Sequence, residues 1–156
     1  MPVLRVMLAF LLAAGLLAVA NPAEAAYGDR CARAGHNPVA EADLVRSTNN
    51  LRAMVHRSRL ATSSTLAQLA HEHARAMASR QRGLWHTNIA PRVRGWAWLG
   101  QNVGYGPTVA SLQYAFLHSP GHRANMFYRP ANRIGVGAWC DGQGTLWVAV
   151  NFMQAR

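Results

Sequence analysis

Residues 145–153 read TLWVAVNFM, an almost unbroken apolar run. Alternate side chains of a strand point to opposite faces. One face of this strand would be wholly apolar: Leu146, Val148, Val150 and Phe152. The other face would hold Trp147, Ala149 and Met153, with Asn151 as its only polar residue. A strand that is apolar on both faces must be covered on both, so the run predicts a central strand between two layers.

The segments before this strand supply helices for those layers. From Ala40 onward, a helical spacing predicts a first helix with this buried stripe: Leu44, Thr48, Leu51 and Val55. A second helix, with Ser63 or Ser64 as its N-cap, has a clearer apolar stripe: Leu66, Leu69, Ala70, His73, Ala74 and Met77. A third helix is predicted to begin with Pro107 in its first turn and to end at Ser119-Pro120.

The remaining segments complete the predicted fold. Residues 83–106 are rich in Gly and Trp and are expected to be irregular. The alternating stretch around Ile134 and Val136, followed by the turn sequence at 141–144, predicts a hairpin with the final strand. Helices on both faces of a small sheet give an α/β (α+β) class, a single-domain three-layer α-β-α sandwich, although strand order stays open.

The N-terminal region is typical of a secreted protein. Arg5, an apolar run and the small-residue pattern Ala23-x-Ala25 predict a cleaved signal peptide over residues 1–25. The alternative is an uncleaved membrane anchor. Residues 26–39 would form a lead and residues 40–154 the domain, with no membrane span after cleavage.

Two cysteines, Cys31 and Cys140, stand near opposite ends of the mature chain. Outside the cytosol such a pair is expected to form a structural disulfide, with two buried free thiols as the alternative.

The charge balance is strongly basic. All sixteen basic residues are arginine, against six acids, which gives a net charge of +10. This balance favours anionic partners such as cell-wall polymers or acidic lipid head groups. The arginines are scattered and no base-stacking array accompanies them, so no specific nucleic-acid binding is expected.

Seven histidines raise the question of a metal. His71 and His73 are two residues apart, so on one helix they point to different faces and do not form the i, i+4 pair of zinc proteases. His71 is expected to be solvated and His73 to be a hydrogen-bonded core or cleft-floor residue. His36 and His56 have no partner signature and are expected at the surface.

His86 and His122 differ from the others because each follows a predicted chain reversal. His86 comes after the second helix, and His122 follows Pro120-Gly121, which is interpreted as a rigid turn. Two imidazoles presented in this way could share a divalent ion.

The motifs, taken in order, carry a family resemblance. They are Asn49-x-x-Arg52, Ala70-x-x-His73-Ala74, His86, Gly100-Gln101-Asn102-Val103, Ser119-Pro120-Gly121-His122-Arg123-Ala124-Asn125 and Ile134-Gly135-Val136-Gly137. In that order, over about residues 42 to 153, the chain resembles the CAP superfamily (also called SCP or cysteine-rich secretory protein domains), and its short bacterial branch most of all.

The resemblance implies an α-β-α sandwich with an open cleft where two histidines and, in many members, two glutamates converge. His86 and His122 match the histidine positions. Gln101 stands at one glutamate position and Ser119 at the other, with Phe116 in place of the family tryptophan. An amide can orient an imidazole or a water, but it can neither supply negative charge nor act as a general base. Zinc held by the pair is therefore expected to bind weakly, if at all.

Three functions stay open from sequence. The favoured one is a non-catalytic extracellular binding module whose ligand is a lipid or sterol-like molecule or an envelope component. Trp85, Trp96 and Trp98 would suit an apolar ligand, or else belong to the core. The alternatives are a metal-dependent hydrolase or protease and a structural envelope protein with a vestigial cleft. Serine hydrolysis by Ser119 and His122 is disfavoured because no acid is placed to orient the base.

Overall fold

A computed structural model describes residues 31–80 and 83–156 of the chain. Within these residues four α-helices are formed: α1 (Pro38–Met54), α2 (Ser64–Arg80), α3 (Val109–His118) and α4 (Pro120–Phe127). Asn37 caps α1, since its side-chain oxygen accepts a hydrogen bond from the Ala40 N–H at 3.0 Å. A short 3-10 helix, Ala90–Arg92, follows α2.

In the described part of the chain, five strands form one sheet: β1 (Gly35–His36), β2 (Ala61–Thr62), β3 (Trp96–Gly106), β4 (Arg133–Cys140) and β5 (Leu146–Ala155). The order is β1-β4-β5-β3, and the neighbours along that path are antiparallel. β2 pairs with β4 in parallel, in register at Ala61 and Arg133. β5 is therefore central, as its sequence predicts.

The two apolar faces of β5 are covered by different helices. One face packs in a core with α1, α3 and α4 and contributes Leu146, Val148, Val150 and Phe152. The opposite face contributes Trp147, Ala149 and Met153 to clusters formed with α2. The three-layer α-β-α prediction is thereby confirmed.

Two glycines of β4 let α2 lie directly on the sheet. A Cβ atom at Gly135 would stand 2.2 Å from the backbone nitrogen of Ala67, and one at Gly137 would stand 2.1 Å from that of His71. Both distances are far inside van der Waals contact, so only glycine fits. The predicted buried stripe of α2 is confirmed, with Leu66, Ala70 and Met77 wholly inaccessible.

Several sequence expectations need correction. Residues 96–106 form the long strand β3 rather than irregular chain, because three glycines and mixed polarity hide the alternation. Val55 lies beyond the end of α1 and is exposed. Pro107 precedes the N-cap Thr108, which forms a capping box with Ser111.

The predicted disulfide is confirmed. Cys31 and Cys140 are bonded across a sequence separation of 109 residues, which ties the chain before β1 to the end of β4. The predicted signal peptide over residues 1–25 lies outside the described residues. In the described part of the chain, no helix combines the length and hydropathy that a membrane crossing requires.

Candidate functional site

The side-chain amide of Gln101, in the middle of β3, is the hub of a polar network. Its Oε1 accepts a hydrogen bond from the Thr87 N–H at 3.0 Å and lies 3.1 Å from Nδ1 of His86. Its Nε2 donates to Thr87 Oγ1 at 3.1 Å and to Asn151 Oδ1 at 2.9 Å. All four contacts use the amide in one orientation, so its donor and acceptor ends are both committed.

Asn151, the lone polar residue on its face of β5, connects this network to α2. Its Nδ2 donates to the carbonyl of Leu66 at 3.1 Å, and its side chain is fully buried. The single polar interruption in the apolar run is therefore the residue that holds Gln101 in place. Sequence analysis noted Asn151 as an exception but assigned it no role.

His86 lies in the loop after α2 with an exposed side chain. Because Gln101 Oε1 already accepts from Thr87, it acts as an acceptor toward His86 as well, which requires the proton on Nδ1. The lone pair of His86 then resides on Nε2, and no hydrogen-bond partner for Nε2 occurs among the described residues. Gln101 thus sets both the direction and the tautomer of this imidazole.

His122 lies in the first turn of α4 rather than on a turn, which corrects the sequence interpretation. Pro120 is the first residue of this helix, and Ser119 is its N-cap. The imidazole of His122 packs edge-on against Phe116, with ring centroids 5.0 Å apart. Burial lowers the pKa of His122, and the nearby charge of His86 lowers it further. His122 therefore favours its neutral form.

Ser119 occupies the N-cap position of α4 without a side-chain capping hydrogen bond. Its backbone carbonyl accepts from the Arg123 N–H at 2.9 Å. The helix is joined to β3 by Asn125, whose Nδ2 donates to the carbonyl of Gln101 at 3.2 Å and to Asn102 Oδ1 at 2.9 Å. Asn125 therefore bridges two elements.

His73 forms the floor beneath this network. Its side chain is buried, its Nδ1 lies 3.4 Å from Thr87 Oγ1, and its ring packs against Trp85 at 5.3 Å. Burial is the main cause that lowers the pKa of His73, and the charge of His86 adds to it. Thr87 links His73 to Gln101, and nothing in its sequence context singled it out.

The donor set of this cleft does not fit a resident zinc ion. Zinc sites in proteins use three or four side-chain ligands, whereas this cleft offers two imidazoles and an amide that is already engaged. The acids of the described residues have other partners: Glu41, Asp43, Glu72 and Asp141. Asp141 caps the hairpin turn, as predicted, by accepting from the Gln143 and Thr145 N–H groups.

A cavity of about 340 Å³ opens beside Gln101. Its walls include Trp96, Trp98 and Leu99. Both tryptophans are half-buried, and Trp98 stacks on Tyr128 with ring centroids 4.1 Å apart. Core packing and the lining of a cavity were alternatives from the sequence. Trp96 and Trp98 each do both.

Two histidines outside the cleft have partners that the sequence did not predict, although His36 is exposed as expected. His36 Nε2 lies 2.9 Å from Glu41 Oε1, and His71 Nδ1 lies 3.4 Å from the same oxygen. His36 therefore has partners, and His71 is half-buried rather than solvated. His71 and His73 have different surroundings, since His71 Nδ1 contacts Glu41 and His73 Nδ1 contacts Thr87.

Comparison with known structures agrees with this architecture. An outer surface protein from Borrelia burgdorferi is 18% identical, with a TM-score of 0.68 over 75% of this chain and 93% of that one. A cysteine-rich secretory protein from Staphylococcus aureus is 20% identical, with a TM-score of 0.61, and this chain spans 75% of its own length but 38% of that protein. At these identities the likeness establishes the fold.

A third similar structure is NaASP2 with Zn²⁺, which is 14% identical with a TM-score of 0.54 over 72% of this chain and 78% of that one. A search of curated protein sequences gives no significant match. The model of the cysteine-rich secretory protein family, CAP, matches residues 45–152, which include the cleft histidines and Gln101. This protein therefore belongs to the CAP family.

Proposed function

We propose that this protein is an extracellular, non-catalytic binding module whose ligand site is the cleft around His86, Gln101, Ser119 and His122. The observation that carries the proposal is that the side-chain amide of Gln101 is fully hydrogen-bonded. An amide takes the place of a family carboxylate, and all of its hydrogen-bonding capacity serves to orient His86 and join Thr87 to Asn151. Such a group presents an imidazole to a ligand but takes up no proton.

Electrostatics of the cleft support binding rather than general acid–base chemistry. The pKa of His122 is lowered by burial and by His86, so this imidazole is largely neutral at neutral pH. Without an adjacent carboxylate, neither cleft imidazole has the orienting acid that activates a nucleophile such as Ser119. A neutral imidazole both donates and accepts, so it suits a ligand with a hydrogen-bonding head group.

The proposed ligand is a lipid or sterol-like molecule or another envelope component. The cavity beside Gln101 has a size within the usual range for small-ligand sites, about 300–1,000 Å³, and its tryptophan walls suit an apolar body. The +10 charge would add attraction to an anionic envelope. Extracellular location is part of the proposal, in keeping with relatives described as outer surface and secretory proteins.

Binding of an apolar ligand is tested directly with a fluorescent long-chain fatty acid. We expect saturable binding by the purified protein and at least tenfold weaker binding in Trp98→Ala. Tyr114→Ala is the matched control, because Tyr114 is an exposed aromatic residue that lines a different groove between α1 and α3. Loss of binding in the control but not in Trp98→Ala would move the ligand to that other groove.

A metal-dependent hydrolase or protease is the second candidate. It is favoured by one observation, the Nε2 of His86 without a hydrogen-bond partner among the described residues, and NaASP2 is a similar fold that was solved with Zn²⁺. Zinc calorimetry on Gln101→Glu compared with the unmodified protein separates the two functions. We expect cleft binding only in the variant, because a carboxylate supplies the missing charged ligand. Casein or peptidoglycan turnover that disappears in His122→Ala would instead establish the enzyme.

A vestigial cleft in a structural envelope protein is the third candidate. It predicts neither fatty-acid binding nor turnover, together with retention in the cell envelope that is reversed by salt. Salt reversal would follow from screening of the arginine-rich surface.

A further inference from the structure

A second cluster of metal-ligating side chains lies at the sheet edge, away from the cleft. His36 comes from β1, Glu41 from the first turn of α1 and His71 from α2. One potential ligand atom from each residue lies within 4.8 Å of the others. Glu41 Oε1 is 2.9 Å from His36 Nε2 and 3.4 Å from His71 Nδ1, and the two imidazole rings stand 4.3 Å apart.

The three side chains are all held in place by contacts with the end of β4. β1 pairs with β4 so that His36 lies opposite Trp139. The next residue of β4, Cys140, is disulfide-bonded to Cys31. The Ala138 N–H donates to Glu41 Oε1 at 3.0 Å, and the Trp139 ring packs edge-on against His71 at 5.3 Å. A hydrogen bond to a ligating carboxylate is one of the outer contacts that orient ligands in metal sites.

The geometry and chemistry of the cluster match a zinc-type ion. Four ligands at about 2.0–2.2 Å in a tetrahedron are about 3.3–3.6 Å apart. The 3.4 Å between Glu41 Oε1 and His71 Nδ1 falls in this range, whereas the 2.9 Å between Glu41 Oε1 and His36 Nε2 is a hydrogen-bond distance that would widen slightly on metal binding. Two imidazoles and a carboxylate are a known three-ligand set for Zn²⁺ with an open fourth position. His36 is 41% exposed, which leaves room for an ion and a water to reach that position.

We propose that His36, Glu41 and His71 form a divalent-metal site of the zinc class, with water as the remaining ligand. The site joins the edge strand to both helical layers, so the bound ion would stabilise the native state by linkage. It does not depend on the proposed function of the cleft, since the two sites share no residue. It also contains the carboxylate that the cleft lacks.

The charges around the cluster set its expected strength. Glu41 is the only carboxylate of the cluster. The guanidinium of Arg75 lies over the Trp139 ring that packs against His71, at 5.4 Å from the ring centroid. The cluster has a single carboxylate, and an arginine lies one turn along α2. We therefore expect it to bind a divalent ion with moderate rather than tight affinity. We expect a dissociation constant in the micromolar range.

The test is calorimetric titration of the metal-free, disulfide-bonded protein with Zn²⁺ at pH 7.5. We expect one equivalent bound, an affinity at least tenfold weaker in His36→Ala and in His71→Ala, and no change in His122→Ala. Glu41→Gln retains an acceptor for the Ala138 N–H, so it removes the charged ligand with little structural change and should also weaken binding at least tenfold. His118→Ala, an exposed histidine on α3, is the matched control.

Three outcomes would overturn the proposal. Zinc binding lost in His122→Ala but retained in His71→Ala would place the metal in the cleft. Binding equally weakened by His118→Ala would indicate nonspecific surface histidines. No binding by the unmodified protein would leave the cluster as a hydrogen-bonded group alone.

Titration with Co²⁺, followed by visible absorption, gives a second readout, because a four-coordinate site produces intense bands that an octahedral aquo ion lacks. A negative result in the metal titrations leaves the fatty-acid test of the cleft unaffected.

Discussion

Two polar centres of this molecule are built alike and behave differently. Around Arg52, a fully buried guanidinium donates to the backbone carbonyls of Ser58, Met126, Tyr128 and Ala131. Around Gln101, a partly exposed amide is just as fully committed. The first centre joins the end of α1 to the chain after α4, whereas the second orients an imidazole whose outer nitrogen stays open.

The difference shows how to interpret polar residues in a motif. Asn49 and Arg52 occur together in the sequence and look as suggestive as the cleft residues. Asn49 is buried, and its carboxamide exchanges hydrogen bonds with both the carbonyl and the N–H of Leu60, at 3.1 and 2.7 Å. A polar group whose partners are all backbone contributes to stability, whereas one whose partner is a solvent-facing imidazole contributes to a site.

The largest effect is expected for Arg52→Met. Several carbonyls would lose a charged donor worth about 1.5–3 kcal/mol each, partly offset by relaxation and water, so we expect destabilisation of about 3–5 kcal/mol. Urea unfolding followed by circular dichroism measures it. Where the variant still folds, fatty-acid binding by the native fraction should be unchanged. A stable variant with altered binding would contradict the comparison.

A smaller effect is expected for Asn49→Ala. It leaves the N–H and the carbonyl of Leu60 without partners in a buried setting, at a cost of about 1–3 kcal/mol. Asn50→Ala is the control, because the neighbouring residue is exposed and should change stability by less than about 0.5 kcal/mol. Equal effects of the two substitutions would show that water replaces the Asn49 hydrogen bonds with no loss of stability.

Gln101→Ala should cost only about 1 kcal/mol, since water can replace a partly exposed amide. Its larger consequence is at His86, which would lose the acceptor that holds the proton on Nδ1. NMR shifts of the ring nitrogens should therefore change from one tautomer to a mixture. Gln68→Ala, which removes a glutamine on the outer face of α2, is the control. Unchanged ring shifts would mean that another group orients His86.

The smallest effect is expected from pH. The pKa values of His73 and His122 are lowered in the folded protein, chiefly by burial. Below the ordinary histidine pKa of about 6.5, the unfolded chain therefore binds more protons than the native one, and stability falls as the pH decreases. The unfolding midpoint should decrease less between pH 7.5 and pH 5.5 in His73→Asn than in the unmodified protein. His118→Ala should follow the unmodified protein.

Much of the fold followed from local pattern. The two-faced apolar run of β5, the stripe of α2 and the hairpin turn each carry a periodicity that depends only on backbone geometry. Strand β3 escaped prediction because Gly100, Gly104 and Gly106 interrupt its alternation. At Gly104 a Cβ would stand 3.0 Å from the side chains of Leu112 and Phe116, so contact with α3 selects glycine there. That reason is tertiary and leaves no local signal.

The site was predictable in part. His86, Gln101, Ser119 and His122 were predicted only through motif resemblance, since their separation along the chain carries no physical signal of proximity, and as a site they stay a prediction. Thr87 and Asn151 were not found, because a threonine in a loop and an asparagine in a strand have many ordinary explanations. The assignment of Pro120-Gly121 as a turn was wrong, since proline also begins helices.

The sequence by itself determined the layered class of the fold, the cysteine pair and the basic charge, because hydrophobic periodicity, composition and redox chemistry are properties of the chain. Only the tertiary structure decided which polar residues meet. His36, Glu41 and His71 carry no shared pattern, and they converge because β1, α1 and α2 pack around one end of β4. Proximity across long sequence separations arises from packing, and a one-dimensional pattern does not encode it.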